Sequence, residues 1–458
     1  MTRAPSAASS VPVGEEQQVP GWQSPRAAIH RVQHDSLLRN SLFIMSTTVV
    51  NSAFGYLFWL LAARLFPAPV VGLTAGLIAA STILVLLASL GVGGTLIQSL
   101  PEARMAARWS LTFWAGMATA VVICAAITGA TLVLLPLLAN ELAVLRSSAY
   151  LTVFAVGTVA MTAGTILDHA FLAERSAGSM LVRNSVVAVG KVLMILVFTL
   201  LAGANALSML GAWAVAAVVG LGLGLGLLVR RASLLRPPRP SALAHSARGL
   251  RTHLAGQQLI GVGGALLPYV LSLLVTVRLS SSDNAYFYTT WMLAGIFLII
   301  APAVSLSLFA EGANDPRDLR VKARSALAII GVILVPGAMA VLATGGILLS
   351  AFGTAYEHHA IGLLQIVLLA SFPDAITNVY VAVLRVRGRL ITAAGLNLGM
   401  GAGTVGLSWA FLPTLGISAV GWAFLAMQLS GCLFVIFDLL RRAASASTAE
   451  GASQGKTI

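Results

Sequence analysis

The chain has 458 residues, of which 58% are hydrophobic and only 9% charged, and its formal net charge is +13. A soluble domain of average composition is roughly 45–50% apolar and about 25% charged, so water is not the main solvent of this protein. The positive charge does not point to nucleic acid, because the basic residues neither gather on one helix nor alternate with aromatics.

Apolar runs long enough to cross a hydrocarbon core of about 30 Å recur along the sequence. In chain order they lie at Leu42–Ala63, Gly72–Ile97, Leu111–Leu138, Tyr150–Leu172, Ser185–Leu201, Leu207–Val229, Leu254–Val277, Tyr286–Phe309, Ala326–Leu349, Ile361–Leu384, Ile391–Leu412 and Ile417–Leu439. The strict alternation of a membrane β-barrel is absent, and helices are the other way to satisfy backbone polar groups in lipid. The expected fold class is all-α: a polytopic membrane protein with about twelve transmembrane helices in two pseudo-symmetric six-helix bundles.

With the N-terminus inside, 25 of the 28 lysines and arginines fall in cytoplasmic segments and only Arg64, Arg146 and Arg278 fall outside. By the positive-inside rule this sets an even number of spans with both termini cytoplasmic. The expected organisation is a disordered tail over residues 1–38 and a first lobe over 39–229. A cytoplasmic basic linker follows over 230–253, with Pro237, Pro238 and Pro240, then a second lobe over 254–440 and a disordered tail over 441–458. The first twenty residues lack the apolar core of a secretory signal. Cys124 and Cys432 lie in apolar runs and read as packed side chains.

The halves repeat. Leu61-Ala62-Ala63-Arg64-Leu65 ends the first run as Val275-Thr276-Val277-Arg278-Leu279 ends the seventh, and Arg108 falls opposite Lys322. Further on, Ala173-Glu174-Arg175-Ser176-Ala177-Gly178 matches Arg385-Val386-Arg387-Gly388-Arg389. Six spans per half keep the two in the same orientation, related by an axis along the membrane normal.

An ionisable side chain at the bilayer centre costs about 2.5–3.5 kcal/mol on insertion scales, which makes each one a functional candidate. Asp374 follows Pro373 in the middle of the tenth run, with Asn378 one turn on; this pair is the candidate coupling or gating acid and its neighbour. Asp168, beside His169, is a candidate member of a gate or an interfacial ion pair. Lys191 either points into a cavity or snorkels to the inner surface. Arg64 and Arg278 either attract a phosphate at the outer exit or anchor the protein at the interface.

Tyr286, Tyr288 and Trp291 read as an aromatic belt or as sugar-stacking rings. Glu357-His358-His359 reads as a solvated outer loop rather than a metal site. The glycines of the sixth and eleventh runs (Gly220, Gly222, Gly224, Gly226; Gly395, Gly399, Gly403) read as helix-packing positions. No glycine-rich loop ends in Gly-Lys-Ser/Thr, so ATP is not the expected drive and no cofactor or metal is expected.

One family resemblance rests on Leu37-Leu38-Arg39-Asn40-Ser41-Leu42, Phe58-Trp59-Leu60-Leu61-Ala62-Ala63-Arg64-Leu65-Phe66-Pro67, Val71-Gly72-Leu73 and Ser89-Leu90-Gly91-Val92-Gly93. The stretch from Tyr286-Phe287-Tyr288 through Trp291-Met292 to Ser307-Leu308-Phe309-Ala310-Glu311-Gly312 adds to it. The chain resembles polysaccharide or oligosaccharide-lipid flippases of the multidrug/oligosaccharidyl-lipid/polysaccharide (MOP) exporter superfamily, from Leu37 to Arg442. The resemblance implies a bacterial plasma-membrane transporter that flips an undecaprenyl-diphosphate-linked glycan from inner to outer leaflet. It also implies membrane lipids, and a glycan polymerase or glycosyltransferases, as partners.

The alternatives are a MATE-like drug or cation antiporter and a non-transporting scaffold of a glycan synthesis complex. A membrane enzyme such as a polymerase should carry a large polar outer loop, and no outer loop here is large enough.

Overall fold

The computed structural model describes residues 36–105, 108–138, 140–231, 258–315 and 317–454. The tail expected over 1–38 and the linker over 230–253 therefore lie almost wholly outside the described residues. Among those described, the chain forms helices and no strand. The first half contains α1 (Ser36–Leu65), α2 (Ala68–Met105), α3 (Trp109–Leu138), a 3-10 segment (Asn140–Arg146), α4 (Ser148–Ala173), α5 (Ala177–Ala202) and α6 (Ala206–Arg231). The second contains α7 (Gln258–Arg278), α8 (Ser281–Leu298), α9 (Ile300–Asn314), α10 (Leu319–Ser350), α11 (Thr354–Val386), α12 (Leu390–Leu415) and α13 (Ser418–Gln454).

Eleven stretches are long and apolar enough to cross a membrane, with α8 and α9 counted together, and α7 contributes the shorter apolar stretch Gly264–Arg278. These correspond to the twelve runs read from the sequence. Large apolar side chains stand outward on many of them, with Leu200 86% and Ile391 90% exposed. Such surfaces require lipid around them. The eighth pass breaks at Ile299, between α8 and α9. Pro302 explains the break, because it has no N–H to offer the carbonyl of Leu298.

The repeat is present in the helix packing. In the first half α5 lies against α1 and α6, α4 against α2 and α6, and α3 against α2 and α4. The second half reproduces these pairings: α12 lies against α7 and α13, α11 against α8, α9 and α13, and α10 against α9 and α11. The two segments matched in sequence also make the same turn. After α4, Ser176 N–H donates to Phe171 O at 2.8 Å, with Arg175 at φ 50°. After α11, Arg389 N–H donates to Leu384 O at 2.9 Å, with Gly388 at φ 72°. Both are helix ends of the Schellman type, in which a left-handed residue lets the chain turn back on its last free carbonyls.

We call the face on which α1 begins proximal and the other distal. Toward the distal face one apolar core joins both halves, including Phe58, Trp59, Phe66 and Phe154 with Phe287, Leu349, Phe352 and Leu363. Toward the proximal face the core divides. Leu96, Leu100, Trp109, Phe113 and Phe171 pack within the first lobe, whereas Leu308, Leu319, Ile330 and Val383 pack within the second. Two lobes thus share a distal core and part below it.

Three local expectations need amendment. Of the α6 glycines, Gly220 and Gly224 lie one turn apart and face Val187 and the Leu167–Arg183 pair, whereas Gly222 and Gly226 meet open space. On α12 only Gly403 is closely packed, against Met427. Glu357-His358-His359 is the first turn of α11 rather than a loop. Gly353, at φ 141°, reverses the chain just before it, and a carboxylate in a first turn complements the helix dipole. Finally, α13 continues to Gln454 through part of the segment expected as a disordered tail; alanines at 443, 444, 446 and 449 propagate a helix that the last span has already nucleated.

Candidate functional site

The lobes are held together at the distal face by polar contacts that the fold makes possible at small residues. Gly72 of α2 approaches α8 so closely that a Cβ there would stand 1.5 Å from Ser281 O. Next to it the fully buried Asn284 side chain donates to Gly72 O at 2.8 Å and accepts from Ser272 Oγ at 2.9 Å. Arg64 donates from Nε to Ala351 O at 2.7 Å and from Nη2 to Ser350 O at 3.2 Å. The Ser281 hydroxyl donates to the Glu141 carboxylate. Two ring pairs also cross between the lobes, Tyr56 with Phe352 at 5.3 Å and Trp59 with Tyr288 at 4.5 Å between centroids.

At the proximal face the ionic networks stay within one lobe. In the first, Arg183 donates to Asp168 Oδ2 at 2.7 Å, and Asn184 donates to both carboxylate oxygens at 3.1 Å. Gly164 makes room for that guanidinium, since a Cβ there would lie 2.0 Å from Arg183 Nη2. Glu174 accepts from Arg104 at 2.5 Å and from Trp109 Nε1 at 2.6 Å, tying α4 to the α2–α3 turn.

In the second lobe Asp438 accepts from the Tyr380 hydroxyl, from Arg389 at 3.0 Å and from Arg442 at 2.7 Å. Between α9 and α10, the Arg317 backbone N–H and the Lys322 ammonium hold the Asp315 carboxyl below the usual carboxylate range. Each of these networks ties together elements of a single lobe. The polar and ring contacts between the lobes named above thus gather at the distal face, where the two halves also share one core.

Lys191 lies on α5, eleven residues short of its distal end at Ala202. At a rise of about 1.5 Å per residue it is roughly 16 Å below that end, near mid-membrane. Its ammonium sits between α5 and α1, 5.7 Å from the Phe58 ring centroid and 4.0 Å from where a Gly55 Cβ would stand. Among the described residues it has neither a hydrogen bond nor an ion pair, and it remains half-buried rather than sealed. Gly55, Phe58 and Trp59 share one face of α1, by the three- and four-residue spacing of helix neighbours. The ammonium thus stands about one turn from the Trp59–Tyr288 contact.

Asp374 occupies a different environment, inside the second lobe. Its carboxylate, in a residue 8% exposed, accepts from Gln428 Nε2 at 2.9 Å across to α13. Gln428 in turn accepts from the Thr377 hydroxyl at 2.8 Å. The Asn378 amide, one turn on, donates to the backbone oxygen of Asp374 at 2.9 Å. No cation pairs with Asp374 among the described residues. Gly431 lets α13 come this close, since a Cβ there would stand 2.8 Å from Thr377 Cγ2 and 2.4 Å from Met400 Sδ.

The residues singled out in the sequence are thus distributed rather than convergent. Arg64 and Arg278 hold equivalent distal helix ends, but Arg64 bridges the lobes while Arg278 stacks on Trp409 at 4.4 Å within its own lobe. Lys191 and Asp374 lie in separate lobes. Tyr288 is not part of an interfacial belt, because its ring packs on Trp59, and Tyr286 stacks on His359 at 4.7 Å.

Sequence reasoning missed Arg183, counted there among loop charges, together with Asp438, Asn284, Glu141 and Trp59. A signal for Arg183 was present: Asp168 and Arg183 stand seven and eight residues on either side of Arg175, and residues equidistant from a helical hairpin turn meet across it.

Two six-pass lobes, joined by a distal core and packed separately below it, define a two-lobed multi-pass membrane protein. No protein-family model matches the chain, and no curated protein matches it. Among solved structures, an inward-facing multidrug resistance MATE family transporter of the MOP superfamily superposes with a TM-score of 0.69 and 16% identity, over 87% of this chain and 96% of that one. The lipid II flippase MurJ in an inward closed conformation gives 0.69 and 11% identity, over 87% of both chains. An outward-facing MATE transporter gives 0.57 and 16% identity over 90% and 96%. The fold is the one these MOP-superfamily structures share.

Proposed function

We propose that this chain is a flippase that carries an anionic lipid-linked glycan, of the undecaprenyl-diphosphate type, from the inner to the outer leaflet of a bacterial plasma membrane. The observation that carries this reading is Lys191, a cation near mid-membrane between α5 and α1 with no counter-charge among the described residues. A buried charge without a partner is costly, and a phosphoryl group entering between the lobes supplies the partner. The same charge repels a cationic drug, which weighs against a MATE-like antiporter. The fold shared with a lipid II flippase supports the reading as well.

Orientation follows from charge. Apart from Lys191 and the buried Arg183, the described lysines and arginines lie in turns or near the proximal ends of the membrane-crossing stretches, the exceptions being Arg64, Arg146 and Arg278 near distal ones. On this reading the proximal face is cytoplasmic, and the joined distal side is the one that must part for release by alternating access. Moving an anion outward is favoured by about 2.3 kcal/mol per charge per 100 mV, so the membrane potential contributes drive. Arg64, which bridges the closed distal side, and Arg278 form the exit that the phosphate meets when the lobes part there. A strain lacking the gene should accumulate lipid-linked glycan on the inner leaflet; unchanged outer-leaflet delivery in that strain contradicts the reading.

Asp374 is the proposed coupling residue. With neutral side chains as its partners among the described residues, its negative charge needs an exchangeable positive partner, a proton or a small cation. Asp374→Asn keeps the Gln428 contact but removes that exchange. The expected result is a flipping rate several-fold lower that no longer varies with pH or cation gradient in reconstituted vesicles. A rate and pH profile identical to the parent would remove Asp374 from the mechanism.

A further inference from the structure

From the Trp59–Tyr288 contact we infer a carbohydrate-binding element: a pair of rings, one from each lobe, that joins the lobes in this conformation and stacks on the first sugar of the cargo during transport. This inference rests on the flippase reading and extends it from the phosphate to the glycan.

The geometry has three parts. First, Trp59 belongs to α1 and Tyr288 to α8, so the 4.5 Å, 48° contact between them spans the lobe interface. Alternating access parts the lobes on the distal side, and this contact must break when they do. Second, the contact stands one turn above Gly55, against which the Lys191 ammonium lies. Four residues of helix are about 6 Å, comparable to the step from a diphosphate to the ring attached to it.

Third, Trp59 is 6% exposed and packs against Phe58 at 5.4 Å, which fixes its ring, while Tyr288 is half-buried against the same core. The aromatic face is electron-rich and suits the C–H face of a pyranose, whose hydroxyls point sideways to water or to polar neighbours. A sugar therefore replaces each ring's partner as the lobes separate, and the pair keeps the lobes joined here when no sugar is present. The chemical class recognised is a pyranose linked to a lipid diphosphate, rather than the lipid diphosphate alone.

The test uses the full chain in lipid nanodiscs and two probes, undecaprenyl diphosphate and undecaprenyl diphosphate bearing one N-acetylglucosamine. The parent protein should bind the sugar-bearing probe ~10-fold more tightly than the bare one. Tyr288→Leu and Trp59→Leu should bring that ratio close to unity with the affinity for bare diphosphate retained, while Tyr288→Phe and Trp59→Phe should preserve it.

Because Trp59 is a core residue, Tyr288→Leu carries the test if Trp59→Leu does not yield a monodisperse protein. An unchanged ratio, or equal weakening toward both probes, overturns the inference and leaves the flippase reading standing. Lys191→Gln reports on that reading separately, by weakening both probes alike. Failure of the parent protein to bind either probe defeats the flippase reading and this inference with it.

Discussion

Lys191→Glu should abolish transport of a lipid diphosphate while leaving the fold intact. A unit charge about 4 Å from a phosphoryl oxygen is worth on the order of 4 kcal/mol at the effective dielectric of a partly wet site. Reversing its sign both removes that attraction and adds repulsion, so the flipping rate should fall by at least ~1,000-fold, since each 1.4 kcal/mol is a factor of ten. Lys191→Gln, which loses the attraction alone, should fall by roughly several hundred-fold, and Lys191→Arg should retain measurable activity, because guanidinium also binds phosphate.

Stability should move the other way. Lys191 makes no hydrogen bond or ion pair among the described residues, so Lys191→Leu removes a desolvated charge from between α5 and α1 and should raise the melting temperature. A side chain that weakens the fold but is needed for turnover is the signature of a functional site. If Lys191→Leu transports normally, or unfolds the protein, the assignment is wrong.

The second large effect concerns Arg183, whose side chain is 3% exposed and whose partner Asp168 is 19% exposed. Arg183→Leu should destabilise the first lobe by about 3–5 kcal/mol, because it leaves the Asp168 carboxylate with Asn184 as its remaining side-chain donor. The double variant Arg183→Leu with Asp168→Leu should recover most of that loss, since no charge is then stranded. Thermal unfolding followed by size-exclusion chromatography reads both. An Arg183→Leu protein as stable as the parent would mean that the ion pair does not organise α4, α5 and α6. Transport by the stable double variant then tests Asp168 itself: the proposed gating role requires a slower rate there, and a purely structural role requires none.

Much of the fold was legible because lipid imposes a length on every pass and a sign on every loop. The twelve runs, the placement of Arg64 and Arg278 at equivalent helix ends and the matched turns at Arg175 and Gly388 all reappear in the structure. The break at Ile299 was less visible, because Pro302 marks only that a carbonyl is freed and not how the chain accommodates it.

The site was much less legible, for a physical reason. In a soluble helix the apolar stripe identifies the buried face, but around these helices the lipid is as apolar as the core, so composition does not say which face meets another helix. Hence the sequence could not show that Asp374 turns toward Gln428 on α13, or that Trp59 meets Tyr288 across the lobes. Small residues give a partial clue, and Gly72, Gly164 and Gly431 each mark a close approach next to a polar contact.

The most direct measurement reconstitutes the purified chain into sealed liposomes with a fluorescent undecaprenyl-diphosphate saccharide in both leaflets, and adds dithionite outside. Empty liposomes keep the inner-leaflet half of the signal. With the protein present, and with Lys191→Glu as the inactive control, the account predicts that the protected fraction falls well below one half as cargo crosses to the outer leaflet. A protected fraction equal to that of empty liposomes would contradict it.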